Sequence, residues 1–506
     1  MGAFRRSVLK VVVLVVLGSC VTAQPALAWC CNTGMSPYVQ RYMKRKPHKS
    51  PTKPRPSAST APVAQTGTAE STAPCGGILV APSDDVAPVM DRHPAGTLFC
   101  FKPGTYKLNS PLVPEDGDRL VGGPGAILNG ATTVSHWTSS GSRWVARLPL
   151  TATKTDWSGD SLLYPQAVYQ EDLFLSGVEL TKVGVADGGQ VVGESAESVG
   201  PGEYFVDYDN DTIYLGSDPS GLTAEVSTTP AAIDSSANDV RISDLVIEKF
   251  AGPGIESEGG VRWTIERNEI RFNHTRALKV YGEGRVLNNF VHHNGQYGLT
   301  GTGDRNVFEG NEVSFNNAAR FARSTESFWD AGGTKFVRNT DLVIRNNNVH
   351  DNFGDGIWVD IDNTAVSISG NRVERNYRIG INYEISFGAS IEGNIVADNG
   401  YVGIWVNSSR DVTLTGNEIA RNKHSIVVVQ QSRGSEYVTS NVQVIGNTIV
   451  NSGVTGTRET TAAVFRDNTY KVASLSSKLW QWDSELLDAA GWKATGMDRD
   501  ATFLKI

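Results

Sequence analysis

Two short stretches carry the residue types from which acid-base chemistry could be built: GIWVDIDN from Gly356 to Asn363 and GINYEIS from Gly380 to Ser386. Both alternate apolar and polar residues, so as strands they would put Ile357, Val359 and Ile361 on one side and Trp358, Asp360 and Asp362 on the other, facing solvent. Aligning the two Gly-Ile pairs sets Asp360 opposite Glu384, twenty-four residues later. Neighbouring strands lie about 4.8 Å apart, so the two carboxyl groups should stand within roughly 4 to 7 Å. Like charges that close cannot both ionise cheaply, and one should keep its proton near neutral pH. A protonated acid beside an ionised carboxylate is what cleavage of a glycosidic bond needs, and the short separation favours the retaining route. Lys335, in AGGTKF about one coil earlier, and Trp358, Trp405, Asn382 and Asn407 are the expected substrate-binding neighbours. A stacked polar ladder, or a calcium site completed by Asp355, is the competing account of the same acids.

Stepping from these residues to what must position them, a motif Asn-x-apolar-x-x-Asn recurs at Asn268/Asn273, Asn289/Asn294, Asn311/Asn316, Asn347/Asn352, Asn371/Asn376, Asn394/Asn399 and Asn417/Asn422. Successive first asparagines are 21, 22, 36, 24, 23 and 23 residues apart. A period of about 22 is one coil of a parallel β-helix, in which like residues stack in ladders. The asparagines are expected to be structural, bonding the turn backbone. A second marker follows five of these pairs: Ala277-Leu278, Gly298-Leu299, Gly356-Ile357, Gly380-Ile381 and Gly403-Ile404. The interval of 36 implies a loop from Phe321 to Phe336 just before the coil of Asp360, and a further insertion, Gln431 to Asn441, could form the opposite wall.

The expected fold is all-β, a right-handed parallel β-helix with an inserted small β subdomain and a C-terminal cap. The divisions are a signal peptide over 1–28, a Lys/Pro/Ser/Thr-rich linker over 29–74, first coils over 75–131, the insertion over 132–230, the main β-helix over 231–465 and the cap over 466–506. A hairpin is expected at Tyr204–Tyr208 and Thr212–Leu215, turning through Asp209–Asp211, and a short helix at Asp483–Ala490, stopped by Gly491. The leader has basic residues, an apolar run and Ala26-Leu27-Ala28, and Leu17-Gly18-Ser19-Cys20 has the form of a lipobox. The expectation is therefore a secreted chain, with possible lipid attachment to the cell envelope through Cys20. Export permits a disulfide between Cys75 and Cys100. A net charge of −8, with the 20% charged residues spread through the chain, argues against nucleic-acid binding.

GIWVDID followed one coil later by INYEISFGA, with EYFVDYDNDTIYLGSDP in the insertion, resembles β-helical glycoside hydrolases, notably family 120 β-xylosidase-like enzymes. That resemblance implies an oligo- or polysaccharide partner, no required cofactor, Asp360 as nucleophile and Glu384 as acid/base. Asp362 departs from the family's pattern and could share or replace the role of Asp360. Two other classes stay open from the sequence: a lyase or epimerase with Lys335 as base and calcium as cofactor, and a non-catalytic glycan-binding envelope protein.

Overall fold

The computed structural model describes residues 75–155, 165–321 and 330–506. The signal peptide, lipobox and linker expected over 1–74, residues 156–164 of the insertion and residues 322–329 of the long loop lie outside the described residues.

Each coil contributes three short strands, and like strands of successive coils pair in parallel, giving three faces. One face runs as a 13-stranded sheet from Gly104–Lys107 to Thr502–Lys505. The face that matters for chemistry stacks Gly332–Thr340, Ile357–Asp360, Ile381–Glu384, Val402–Asn407 and His424–Val429. Its register is Ile357 on Ile381 on Ile404, with Asp360 directly on Glu384 and Glu384 on Asn407. The interior is a single column of stacked Val, Ile, Leu and Phe that extends from Val80 to the last coil.

Two ladders of buried asparagines hold the turns. Asn371 is representative: its Oδ1 accepts from the backbone N–H and the amide Nδ2 of Asn347, and its Nδ2 donates to the Ile344 carbonyl and to Asn394 Oδ1. Every polar atom of the side chain is used inside a dry turn, where an unmade bond would be costly. The first ladder continues through Asn447 and Asn468 to Asp498, which also accepts from Tyr470 and from Trp492 of the cap. In the Gly-Ile marker, glycine is required by close approach. A Cβ on Gly380 would lie 2.7 Å from the Gly403 carbonyl and 2.8 Å from the ladder amide of Asn399.

Between the coil strand Ala126–Asn129 and its stacking partner Val246–Glu248 the chain leaves the solenoid and returns. The excursion forms a four-stranded and a six-stranded sheet around a separate core that includes Leu173, Val185, Tyr204, Ile213 and Val226. Within it, Glu203–Asp207 and Thr212–Leu215 pair antiparallel as a hairpin. At the far end the structure corrects one expectation. Glu485–Leu487 is a strand of a hairpin with Trp480–Trp482, and the helix is Ala489–Ala494, with Gly491 inside it. The N-cap decides the shift: the Asp488 side chain accepts from Gly491 N–H at 2.8 Å, so the glycine opens the helix instead of ending it. Trp480 and Trp492 are buried against the last coils.

Candidate active site

Ile357 and Val359 point into the core, and Trp358 and Asp360 point out, as alternation requires. The outward face is not washed by solvent, however. Asp360 and Glu384 are 3% and 7% exposed, and Trp358, Asn382, Trp405 and Asn407 are buried as well. The reason lies in polar groups and chain that close over the face from both sides.

On one side Lys335 Nζ lies 3.2 Å from Asp360 Oδ2 and 3.0 Å from Asp330 Oδ1, and sits 3.9 Å over the Trp358 ring. Tyr297 donates to the same Asp330 oxygen at 2.7 Å. On the other side Arg433 Nη1 lies 2.7 Å from Glu384 Oε1, which also accepts from Asn407 Nδ2 at 3.1 Å. Asn407 is fixed in turn by Gln431 Oε1 at 2.9 Å. Asn382 donates to Asp355 Oδ2 at 3.0 Å, and Asp355 accepts from the Ile379 N–H as well. Trp405 belongs to a separate apolar group with Ile379, Val402, Val427 and Val429, one coil past Glu384.

Burial is the largest influence on both acids and pushes both upward. For Asp360, Lys335 and then Arg433 oppose the rise. For Glu384 the Asp360 charge adds to it, and Arg433 is the main opposing group. The pair therefore binds protons more readily than free carboxylates. Among the described residues, three buried polar atoms on this face have no hydrogen-bond partner: Asp360 Oδ1, Asn382 Oδ1 and Trp358 Nε1. Two acceptors and one donor left unmet beside two acids is an arrangement that a hydroxyl-bearing ligand would complete.

Asp362 is elsewhere. The strand ends at Asp360, and Ile361 and Asp362 both take left-handed backbone conformations, with φ of 60° and 56°. Ile361 is thereby half-exposed, not core, and Asp362 is exposed on the flank. Its Oδ1 accepts from Tyr437 at 3.0 Å. The turn is set by Asn363, whose Nδ2 donates to the Asp360 carbonyl at 2.8 Å and which belongs to a third ladder, Asn339–Asn363–Ser386–Ser409. Ser386 consequently lies in that buried turn and not on the outward face. The ladder was hidden in sequence because serine replaces asparagine halfway. The roles of Asp330, Tyr297, Arg433 and Tyr437 were also missed; the stretched intervals between asparagines, 36 residues at Asn311/Asn347 and 30 at Asn417/Asn447, mark the loops of all but Tyr297, which lies on the strand Tyr297–Asp304 in an interval of ordinary length.

Among the described residues no group of three or more His, Cys, Asp or Glu side chains is arranged to hold a metal ion. Asp355, the candidate third oxygen ligand, accepts from Asn382 Nδ2 and the Ile379 N–H. Cys75 and Cys100 are joined, with Cα atoms 6.0 Å apart, tying the first strand to the next coil.

Residues 253–411 and 388–470 match the family model described as right handed beta helix region. No curated protein matches the chain. Solved structures that it resembles include the xylose complex of XylC, at 15% identity over 83% of this chain and 82% of that one, with a TM-score of 0.58. They also include the A-module of the Azotobacter vinelandii mannuronan C-5 epimerase AlgE6, at 15% identity over 82% and 91%, TM-score 0.46. Pectate lyase Pel9A matches at 12% identity over 80% and 79%, TM-score 0.31. At such identities the likeness is one of fold. Through residues 253–470 the chain takes its place among proteins built on a right-handed parallel β-helix.

Proposed function

We propose that the chain is a carbohydrate-active enzyme, a retaining glycoside hydrolase in which Asp360 attacks the anomeric carbon and Glu384 serves as acid and then base. The observation that carries this reading is the direct register of two buried carboxylates on adjacent coils, one strand spacing apart. That spacing of about 4.8 Å is close to the separation of about 5 to 5.5 Å used by retaining enzymes. In the first step Glu384 gives its proton to the glycosidic oxygen while Asp360 forms a bond to the anomeric carbon. In the second, Glu384 takes a proton from water, whose oxygen displaces Asp360 and frees the sugar.

Lys335 supports the division of roles. An ammonium against Asp360 favours the ionised nucleophile, whereas Asp360 itself is the charge that most favours a protonated Glu384 after burial. The unmatched Asp360 Oδ1, Asn382 Oδ1 and Trp358 Nε1 supply acceptors and a donor for sugar hydroxyls. XylC is a xylose complex, so xylosides head the substrate panel. The disulfide supports a chain that works in an oxidising compartment outside the cytoplasm.

A lyase or epimerase using Lys335 as base is the second reading, because the lysine does reach the site. Its ammonium engages Asp330, Asp360 and the Trp358 ring, a placement suited to an organiser of the pair. The deciding experiment is a glycan panel read for reducing sugar, for ultraviolet absorbance of unsaturated uronate and for product anomer. Hydrolysis with net retention, abolished in Asp360→Asn, is expected. Calcium-dependent absorbance without new reducing ends of a saturated sugar would overturn the proposal. Glycan binding with no product from any substrate would assign a binding protein.

A further inference from the structure

The segment from Gln430 to Thr439 lies between the strand His424–Val429 and the strand Ser440–Ile445 and forms a wall beside Glu384. It is closed on itself: Gln430 Nε2 donates to the Tyr437 carbonyl at 3.0 Å, and the Thr439 N–H donates to Gln430 Oε1. Its base is fastened to the coils. Tyr437 donates to Asp362 and stacks on Phe387 with ring planes 5° apart, while Arg410 donates to the Glu436 carbonyl at 3.2 Å. Asp362, drawn from the same motif as Asp360, thus anchors the wall.

From this fastened wall Arg433 reaches inward to Glu384. Its environment differs from that of the lysine on the other acid. Lys335 is 11% exposed and held by two carboxylates and a ring, whereas the Arg433 side chain is 37% exposed and, among the described residues, forms an ion pair with Glu384 alone. Gly434, the next residue, has φ of +124°, a backbone state that side-chain-bearing residues rarely adopt. A cleft of about 430 Å3 flanks Arg433 on both sides in sequence, lined by Gln431, Ser432, Gly434, Ser435 and the exposed Glu459. There is room for a guanidinium outside the pair, and a carboxylate to receive it.

Resting on the hydrolase reading, we propose that Arg433 is a positioning residue that acts as a removable counter-ion: it pairs with Glu384 before substrate enters, and the glycan displaces it into the Glu459 cleft, so that Glu384 takes up a proton from solvent and becomes the donor. The step balances, one ion pair exchanged and one proton gained from water by the carboxylate. It also resolves a conflict in the geometry. Of the groups around Glu384, Arg433 is the one that most favours its ionised form, the wrong form for protonating a leaving group.

The test is made on the full chain in two arms. In the first, the infrared band of protonated carboxyl that Glu384→Gln removes is titrated without substrate in wild type, Arg433→Ala and Arg433→Lys. The expected result is a midpoint moved to higher pH in Arg433→Ala and largely restored in Arg433→Lys. An unmoved midpoint overturns the proposal. In the second arm, the pH profiles of kcat/KM and kcat are measured on the glycan cleaved fastest in the panel. Because kcat/KM reports the free enzyme and kcat the complex, Arg433→Ala should move the basic limb of kcat/KM upward by about one unit and leave that of kcat in place. Equal movement of both limbs means that Arg433 stays on Glu384 in the complex, which overturns displacement. If no glycan is cleaved, the hydrolase reading and displacement fall together, while the infrared arm still decides whether Arg433 sets the charge of Glu384.

Discussion

Replacing Asn371 by alanine should show how much of the solenoid rests on its asparagines. The side chain makes four hydrogen bonds, all buried: two accepted from Asn347, one donated to the Ile344 carbonyl and one to Asn394 Oδ1. Asn394 Oδ1 keeps a bond from the Asn371 backbone N–H, which alanine retains. The Asn347 N–H, one Asn347 amide proton and the Ile344 carbonyl are left unpaired. At about 1 to 3 kcal/mol for each buried group left unsatisfied, with some relief from local relaxation, the expected cost is about 3 to 5 kcal/mol. Tryptophan fluorescence against urea measures the loss, and amide exchange at Asn347 locates it, since a stack of coils can open locally before it unfolds. Adding Asn347→Ala should cost much less than its own single value, because the two side chains share bonds. A cost below about 1 kcal/mol, or full additivity of the pair, would refute the ladder as a source of stability.

Further outcomes follow from the site and its supports. Asp360→Asn and Glu384→Gln should each lower kcat by about a hundredfold to ten-thousandfold on the panel's best substrate while glycan binding persists, measured by calorimetry. Glu384→Gln should also be more stable than wild type at neutral and alkaline pH. The folded protein holds the Glu384 proton more tightly than the unfolded chain, so wild type loses stability as pH rises through the folded value, and the difference in Tm should vanish below the ordinary carboxylate range. Gly380→Ala puts a Cβ 2.5 Å from Val396 Cγ1 and 2.7 Å from the Gly403 carbonyl, one residue before the strand of Glu384. It should cost about 1 to 3 kcal/mol and depress kcat, read by urea unfolding and by kinetics. Tyr437→Phe should leave the melting temperature nearly unchanged but raise amide exchange across Gln430–Thr439, because it frees the wall from Asp362.

What the sequence determined by itself was the register. Asparagine spacing and the Gly-Ile marker repeat through the coils of Gly356, Gly380 and Gly403, and each of these coils must stack its Asn, Gly and Ile on those of the next, so periodicity alone sets Asp360 against Glu384. What it could not carry was anything that breaks the period. Alternation places Asp362 beside Asp360, yet two left-handed residues fixed by Asn363 end the strand and turn Asp362 to the flank. The same holds for the helix of the cap, where one Asp488 hydrogen bond moves the start past the hairpin. Loops joined to a solenoid are free in length and sequence, so nothing local announces that Arg433 reaches Glu384 from one side and that Asp330 holds the lysine on Asp360 from the other. Only the tertiary structure closes them over the face, and that closure, by removing water, gives the carboxylates their raised affinity for protons.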